Sequence, residues 1–213
     1  MDEEEIRRRT VESTYATWRR QAGWHPLVIA RAEGSSFWDP AGHRYLDFSS
    51  QLVASNLGHG NAAVTAAITE QAQKLPFVAP GFATEARAQL SKALDSVLPT
   101  ELNRYFFSTS GTEANEAALK IARAVTHRSK VIARYRSYHG ATAASMSVTG
   151  DFRRRSSEAV QKVPGTVFAP DCYCYRCPFG LRYPDCGVAC ADYVDYQLEH
   201  EGDVAAMILE PIV

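Results

Sequence analysis

The sequence predicts an α/β domain with a mainly parallel sheet and crossover helices. From residue 105 onward, short apolar runs alternate with helical patterns, and this alternation is typical of parallel strands joined by helices. The composition agrees, since 46% of the 213 residues are hydrophobic and 22% are charged, as in ordinary globular proteins. A chain of this length can also bury a substantial core.

The totals exclude several classes of protein. A formal net charge of -1 argues against a nucleic-acid-binding protein, whose binding face would be strongly basic. No apolar run approaches the length of a membrane span, and the acidic start at residues 2–5 is unlike a secretory signal. We therefore expect a cytoplasmic protein that binds neither nucleic acid nor a membrane.

The elements before residue 60 are predicted from local patterns. Residues 2–21 have the pattern of a polar surface helix, in which Glu and Arg residues are spaced four apart. Residues 36–48 predict a β-hairpin, because the DPAG segment at 39–42 provides turn chemistry between two aromatic-rich arms.

Helices and strands follow along the rest of the chain. Asn61 is a suitable cap for a helix that runs to about Leu75, and Thr84 for another that ends before Pro99. The last predicted strand has the character of a central buried strand, yet the chain stops one residue later, so we expect an incomplete domain. The remaining predictions are strands at 105–107, 131–135, 166–169 and 204–212, and helices after residue 110, at 141–148 and at 191–199.

The turn between the strand at 105–107 and the next helix is the first candidate site. Ser110 is a good N-cap, and Glu113 three residues later completes a capping box. Gly111 permits close approach to the backbone, and Thr112 adds a hydroxyl donor. A helix N-terminus of this kind can bind phosphate, although a capped crossover helix without a ligand gives the same spacing. The position at the carboxyl end of a strand favours binding.

Two further candidate sites lie at the same edge of the predicted sheet. Tyr138, His139 and Gly140 follow the strand at 131–135, where an aromatic ring could stack on a planar ligand. Taken alone, a Tyr–His pair in a loop is more often structural. Glu210 ends an apolar strand, and a carboxylate there needs either a structural partner or a role in the active site.

Several separated motifs together resemble the class III pyridoxal phosphate-dependent aminotransferases. The resemblance implies a fold-type I transferase, of which this chain holds an incomplete large domain and the amino-terminal part of the small domain. Residues 1–60 would then be the amino-terminal segment and hairpin of the small domain, and 61–213 the first half of the cofactor-binding domain. The motifs are STSGTEANEAALKIAR at 108–123, SYHGATAASMSVTG at 137–150, ILEPI at 208–212, FWDPAGHRYLDFSS at 37–50 and NLGHG at 56–60.

The resemblance also implies roles for individual residues and pyridoxal 5'-phosphate as the cofactor. A serine–glycine–threonine turn would grip the phosphate, an aromatic ring with a histidine beside it would stack on the pyridine, and a glutamate would lie near the cofactor. Two further residues would line the substrate pocket. The residues implied are, in that order, Ser110, Gly111 and Thr112; Tyr138 and His139; Glu210; and Leu52 and Val53.

The family also needs groups that this sequence lacks. Its Schiff-base lysine and the aspartate on the pyridine nitrogen both follow the Glu-Pro strand, and no lysine here has a suitable context. We therefore expect this polypeptide alone not to transaminate. The lysines present are Lys74, Lys92, Lys120, Lys130 and Lys162.

The resemblance implies an activity for the complete enzyme. It would be a homodimer that moves an amino group from an ω-amino acid or amine to a keto acid such as pyruvate. The alternatives on the same scaffold are an aminomutase and a decarboxylating transaminase. A non-catalytic chain, or half of a split enzyme that needs a partner chain, is the alternative from another class.

All five cysteines lie in the loop at 170–190, with the spacing C-x-C-x2-C-x8-C-x3-C. An odd number in a cytosolic-looking chain does not suggest a disulfide framework. Four thiols could hold zinc or an iron–sulfur cluster, but the spacer of eight is shorter than in common zinc ribbons and Cys172 is left over. We therefore predict no metal, and reduced structural thiols or an interface role. The four alternative ligands are Cys174, Cys177, Cys186 and Cys190.

Overall fold

The computed structural model describes residues 1–155 and 163–212 of the protein. The chain divides into two units, Met1–Val97 and Leu98–Val213, so the division falls later than the domain boundary predicted after residue 60, which stays a prediction. Within the described ranges, no helix combines the length and the apolar character needed to cross a membrane.

The first unit contains a three-stranded antiparallel sheet of β1 (Arg31–Glu33), β2 (Ser36–Trp38) and β3 (Arg44–Leu46), with β2 in the middle. The predicted hairpin is confirmed: Gly42, with φ of 89°, closes the turn by donating its N–H to the carbonyl of Asp39 at 3.1 Å. The strand β1 was not predicted, because it is too short and polar to show a strand pattern.

Three helices of the first unit have side-chain caps at their start: α1 (Glu3–Ser13), α2 (Ala62–Lys74) and α3 (Glu85–Asp95). The predicted caps of α2 and α3 by Asn61 and Thr84 are confirmed. The prediction that the first helix continues to residue 21 was wrong. It ends at Ser13, in a segment rich in Ser and Thr, whose hydroxyls compete with the helical hydrogen bonds of the backbone.

The segment Ser50–Val53 forms a left-handed turn, with φ angles of 47°, 48°, 60° and 62° along it. Left-handed backbone costs roughly 1–2 kcal/mol for each L-residue that is not glycine, so the turn needs support. Asp47 provides it: its carboxylate accepts the N–H of Gln51 at 3.2 Å and contacts Nε2 of His59 at 2.7 Å. The turn leaves the Leu52 and Val53 side chains exposed.

The second unit is the predicted α/β structure. Its elements are α4 (Gly111–Thr126), β4 (Lys130–Arg134), α5 (Ala143–Ser147), β5 (Thr166–Ala169), a 3-10 turn (Cys174–Arg176), α6 (Ala189–Glu201) and β6 (Val204–Met207). The strands form a parallel sheet in the order β5-β4-β6, with helices around it. Successive side chains of β4 alternate between two apolar clusters, because Val131 and Ala133 pack with Leu119 of α4, whereas Ile132 packs on the side of α6.

One strand prediction in this unit was wrong, and the last strand was predicted too long and in the wrong position in the sheet. Residues 105–107 are not a strand, because no described strand pairs with them, and Phe106 and Phe107 are 64% and 41% exposed. The last strand ends at Met207 and lies at the edge of the described sheet, with β4 in the centre. The pairing with β4 extends by one more hydrogen bond, in which the N–H of Ile208 donates to the carbonyl of Ile132 at 2.9 Å.

Candidate active site

The first turn of α4 is capped by side chains, and part of its backbone stays accessible. The Ser110 hydroxyl accepts the N–H of Glu113 at 3.2 Å, as predicted, but the Glu113 carboxylate binds the N–H and hydroxyl of Thr109, one residue earlier than in a capping box. These two bonds lower the pKa of Glu113. The N–H groups of Gly111 and Thr112 have no acceptor within the helix, and a Cβ at Gly111 would meet nothing within 4 Å. An anion can therefore reach this backbone.

The loop that follows β4 lies directly against this turn. The N–H of Ala141 donates to Oγ1 of Thr112 at 3.2 Å. A Cβ at Gly140 would lie 2.4 Å from the same Thr112 oxygen and 2.6 Å from Oγ of Ser145, and Gly140 has a φ of 138°. Glycine is required here because the loop passes over Thr112 without room for a side chain. The anion-binding turn and the loop that carries Tyr138 are thus brought together.

Glu210 reaches the same loop from the segment after β6. Its Oε1 accepts the backbone N–H of Tyr138 at 2.8 Å, and its carbonyl accepts a hydrogen bond from the Arg134 guanidinium. The described partner of the Glu210 carboxylate is therefore a backbone amide. The Tyr138 ring is 39% exposed and is approached by the guanidinium of Arg153, 4.7 Å from the ring centroid.

His139 is buried beneath the loop, with 5% of its surface exposed. Its N–H donates to Oγ1 of Thr149 at 3.0 Å, and its carbonyl accepts from the Asn115 amide at 2.6 Å. Burial lowers the pKa of the imidazole, although the charge of Glu210 acts in the opposite direction. Among the described residues, nothing hydrogen-bonds its buried Nε2. The imidazole is therefore neutral at physiological pH, and its Nε2 has no hydrogen-bond partner among the described residues.

Glu116 is a site residue that the sequence did not predict. A single oxygen of its carboxylate accepts the hydroxyl of Thr142 at 2.5 Å and the N–H groups of Ala144 and Ser145 at 2.9 Å each. Burial favours the protonated form, but these hydrogen bonds outweigh it and lower the pKa of Glu116. Glu116 therefore caps α5 from a neighbouring helix and fixes the end of the loop that carries Tyr138.

The inward face of α4 is not the one that its apolar residues suggest. Small and apolar residues follow helical spacing from Ala114 to Val125, but Ile121 and Val125 are 54% and 75% exposed. The inward face instead contains buried Leu119 and the polar residues Asn115 and Glu116, which bind the 139–145 loop. The sequence did carry a signal for this face: Asn115 and Glu116 follow Thr112 by one helical turn and so lie on the same side of the helix.

We expect the substitution Glu116→Gln to cost about 1–2 kcal/mol at neutral pH, because it replaces charge-assisted hydrogen bonds by neutral ones. The pKa of Glu116 is lowered in the folded chain, so its contribution is complete above the unfolded pKa near about 4.3 and is lost as the pH falls through the folded pKa. Urea unfolding at several pH values measures this: the gap between the two proteins should narrow only in acid.

The matched control for this measurement is Glu199→Gln, on the exposed surface of α6. Its free energy of unfolding should stay within about 0.5 kcal/mol of the unsubstituted chain at every pH. A gap for Glu116→Gln that is the same at pH 3 and pH 7 would contradict the assigned role of the carboxylate.

The remaining predicted residues belong to the first unit or to the cysteine loop. Leu52 and Val53 belong to the first unit, and their role in a substrate pocket stays a prediction. In the cysteine loop, Cys172 and Cys174 are exposed and the other three thiols are half-buried. Within residues 1–155 and 163–212, no group of three or more His, Cys, Asp or Glu side chains could hold a metal ion, so the four-thiol alternative gains no support.

The described lysines of the second unit lie on elements other than the loop that carries Tyr138. Lys130 begins β4, at the end opposite to the loop, and its Nζ binds the Glu201 carboxylate at 2.8 Å. Lys120 is exposed on α4. Lys74 and Lys92 belong to the first unit, and Lys162 lies outside the described residues.

Comparison with known proteins identifies a family match and several relatives. Residues 17–213 match the family model described as aminotransferase class-III. The chain is 34% identical to acetylornithine aminotransferase of Methanothermobacter thermautotrophicus, with 100% of this chain aligned to 48% of the relative. It is 36% identical to leucine/methionine racemase of Thermococcus litoralis, with 88% of this chain aligned to 43% of the relative.

A solved structure with the same fold is the taurine:2-oxoglutarate aminotransferase of Bifidobacterium kashiwanohense, in complex with pyridoxal phosphate and glutamate. It superposes with a TM-score of 0.90 at 39% identity, covering 100% of this chain and 49% of that chain. The chain thus spans about half the length of the relatives that it matches.

Proposed function

Because the chain belongs to the class III aminotransferase family, we propose that its α4 turn and its Tyr138 loop bind pyridoxal phosphate, the cofactor of that family. The predicted fold-type I transferase fold is confirmed by the superposition on a solved transaminase at a TM-score of 0.90. The observation that carries the proposal is the bond between Ala141 and Thr112, which joins the anion-binding turn to the loop bearing the aromatic ring.

Two observations on this chain fit the cofactor. The space beside Gly111 is open, and the N–H groups of the first turn are directed along the helix axis toward an incoming anion. In addition, the buried Nε2 of His139 is unpaired among the described residues, beside a ring that can stack on a planar ligand. A phosphate and a flat heterocycle joined in one molecule match this pair of features.

Each residue would then have a distinct task. Ser110, Gly111 and Thr112 would hold the phosphate through hydroxyl and N–H donors, and Tyr138 would stack on the pyridine ring. Glu210 would hold the loop by accepting the backbone N–H of Tyr138, at 2.8 Å. Pyridoxal phosphate, when bound, acts as an electron sink for bonds at the carbon that carries the substrate amine.

We further propose that the whole protein transfers an amino group from an ω-amino acid or amine to a keto acid such as pyruvate, and that it acts as a homodimer. The 39% identity to a taurine:2-oxoglutarate aminotransferase supports such a donor, since taurine carries its amine on a terminal carbon. In the family the Schiff-base lysine and the aspartate follow the Glu-Pro strand, so the 213-residue chain alone would not transaminate. Its free cysteines suit a reducing compartment such as the cytoplasm.

One observation favours a different reaction on the same cofactor. A relative at 36% identity is a leucine/methionine racemase, so membership of the family does not by itself specify amino transfer. An aminomutase, a decarboxylating transaminase and a racemase would each leave a different product from one amino acid. Product analysis of the whole protein with an ω-amino acid and pyruvate separates these reactions. Alanine formed without CO2 supports simple transfer, alanine formed together with CO2 indicates a decarboxylating transaminase, and an isomerised amino acid without alanine indicates an aminomutase or a racemase.

The test of the cofactor site is the substitution Ser110→Ala. We expect the dissociation constant for pyridoxal phosphate to rise about tenfold, because one hydrogen bond to a charged group is lost. The substitution should also cost about 1 kcal/mol of stability through loss of the N-cap. Calorimetric titration of the 213-residue chain with pyridoxal phosphate, with and without inorganic phosphate as a competitor, measures the affinity.

Thr84→Ala is the matched control, because Thr84 caps α3 in the same way, by accepting the N–H of Arg87 at 3.3 Å. It should lose similar stability and leave the affinity for pyridoxal phosphate unchanged. Equal affinity in the Ser110→Ala variant and the unsubstituted chain, or binding that phosphate does not compete with, would count against the assigned turn.

A further inference from the structure

The left-handed turn Ser50–Val53 in the first unit is an unusual piece of backbone. Its four residues all have positive φ angles and none is glycine, whereas L-residues that visit this conformation usually do so singly. Burial of apolar side chains does not offset the cost, since Leu52 and Val53 are 93% and 73% exposed. Backbone strain of this kind persists only where surrounding groups hold it, and it is concentrated at functional sites.

Asp47 is the side chain that holds this turn. Its carboxylate is buried, with 3% of the side chain exposed. One oxygen accepts the N–H of Gln51 at 3.2 Å, and the other lies 2.7 Å from Nε2 of His59. Burial favours the protonated form, but the hydrogen bonds from His59 and Gln51 outweigh it and lower the pKa of Asp47. The ionised carboxylate therefore accepts a hydrogen bond from each of these two residues.

His59 is itself fixed to the connection between β1 and β2. Its N–H donates to the carbonyl of Gly34 at 2.8 Å, and its carbonyl accepts the N–H of Gly34 at 2.9 Å. The backbones approach so closely that a Cβ at Gly58 would lie 3.3 Å from the Gly34 oxygen. The N–H of Asp47 donates to the carbonyl of Ser35 in the same connection, at 2.9 Å. The carboxylate thus links the left-handed turn to the antiparallel sheet.

We propose that Asp47 is a positioning residue for the substrate: it fixes the Ser50–Val53 turn so that Leu52 and Val53 form an apolar wall that selects the amine donor by its chain length. This inference rests on the proposed function and on the predicted place of Leu52 and Val53 in the substrate pocket. Asp47 contacts neither substrate nor cofactor in this role and acts through the turn alone. It therefore determines which donors are used and leaves the binding of the cofactor unchanged.

Asp39 provides a matched comparison in the same sheet. Like Asp47, it is 8% exposed, and its carboxylate lies 2.9 Å from Nδ1 of a histidine, His43. It also accepts the N–H of His43 at 2.8 Å and the hydroxyl of Tyr45 at 3.0 Å. These bonds hold the hairpin of β2 and β3, and neither partner belongs to the left-handed turn. Asp39→Ala therefore removes an equally buried carboxylate without releasing that turn.

The first experiment measures the turn by amide hydrogen exchange in the 213-residue chain. In Asp47→Ala the amides of residues 51–55 should exchange about tenfold faster, because hydrogen bonds to a charged group no longer oppose local opening. Exchange in α2 should not change, and Asp39→Ala should leave residues 51–55 unaffected. Asp47→Asn keeps an oxygen for the N–H of Gln51 and should restore part of the protection. A folded Asp47→Ala variant with unchanged exchange at residues 51–55 would overturn the proposal.

The second experiment measures donor selection by the whole protein, with pyruvate as the acceptor. The donors are β-alanine and 5-aminopentanoate, which differ by two methylene groups. Since one methylene group in an apolar pocket changes kcat/KM by roughly tenfold or more, the ratio of the two kcat/KM values should change by at least about fivefold in Asp47→Ala. Asp39→Ala should keep the ratio. Loss of folded protein lowers both values equally, so it does not alter the ratio.

The two experiments separate this inference from the proposed function. Faster exchange at residues 51–55 in Asp47→Ala, together with an unchanged donor ratio, would reject the role of Asp47 in selection. If the unsubstituted whole protein forms no alanine from any ω-amino acid or amine, the proposed function fails and donor selection fails with it, whereas the exchange rates still decide whether Asp47 holds the turn. If Asp47→Ala does not fold, His59→Phe keeps an aromatic ring without the bond to the carboxylate, and the same changes are expected there.

Discussion

The substitution Gly150→Ala is expected to destabilise the second unit by more than about 4 kcal/mol, among the largest effects that one methyl group can have. A Cβ at this position would lie 2.0 Å from the carbonyl oxygen of Arg134 and 2.6 Å from Cα and the carbonyl carbon of Tyr135. These are backbone atoms, so no change of rotamer relieves the overlap. Relief requires the end of β4 to move away from the segment that carries Gly150. Urea unfolding followed by circular dichroism measures the loss.

Gly81→Ala is the matched control for Gly150→Ala. A Cβ at Gly81 would meet nothing within 4 Å, and Gly81 is not among the glycines with positive φ. Its free energy of unfolding should change by less than about 1 kcal/mol. Similar midpoints for the two variants would mean that the close approach at Gly150 is easily relaxed.

The substitution Gly140→Ala is expected to weaken both the stability of the chain and its affinity for pyridoxal phosphate. A Cβ there would lie 2.4 Å from Oγ1 of Thr112 and 2.6 Å from Oγ of Ser145, at a φ of 138° that L-residues rarely adopt. Strain of this kind costs on the order of 1–3 kcal/mol. Because Thr112 must move, the dissociation constant should rise by about tenfold or more. Urea unfolding and calorimetric titration measure the two effects separately.

Gly111→Ala separates the two effects, because a Cβ at Gly111 meets no protein atom within 4 Å. Its free energy of unfolding should change by less than about 1 kcal/mol, since alanine is the better helix former. Its affinity for pyridoxal phosphate should fall, because the added methyl group occupies the space proposed for the phosphate. A Gly140→Ala variant with unchanged unfolding and unchanged affinity would contradict the described packing of the loop on Thr112.

The local signals of the sequence predicted most of the elements correctly. Ser110, Asn61 and Thr84 each cap the predicted helix, because an N-cap depends on a side chain and on backbone groups within three residues. The βα units that follow residue 110 were also predicted, so Thr112, Tyr138 and Glu210 could be assigned to one sheet edge before the structure. Their tasks in binding remain part of the proposal.

The wrong and missing predictions concern residues whose structure depends on more than the local sequence. Residues 105–107 have the composition of a strand, but a strand exists only when another strand pairs with it. Glu116 resembles any surface glutamate of a helix until the N–H groups of α5 are placed beside it. The left-handed turn at Ser50–Val53 contains no glycine, so the sequence carries no local signal for its positive φ angles.

The contacts of Glu210 also determine when the site is completed during synthesis and folding. The bond from Tyr138 to Glu210 joins residues 72 apart, and that from Arg134 to Glu210 joins residues 76 apart. Chains are made from the amino terminus at about 5–20 residues per second, and contacts so distant in sequence form late because a long loop must close first. The α4 turn and the Tyr138 loop therefore leave the ribosome several seconds before the residue that holds that loop, and the complete site is a late product of folding.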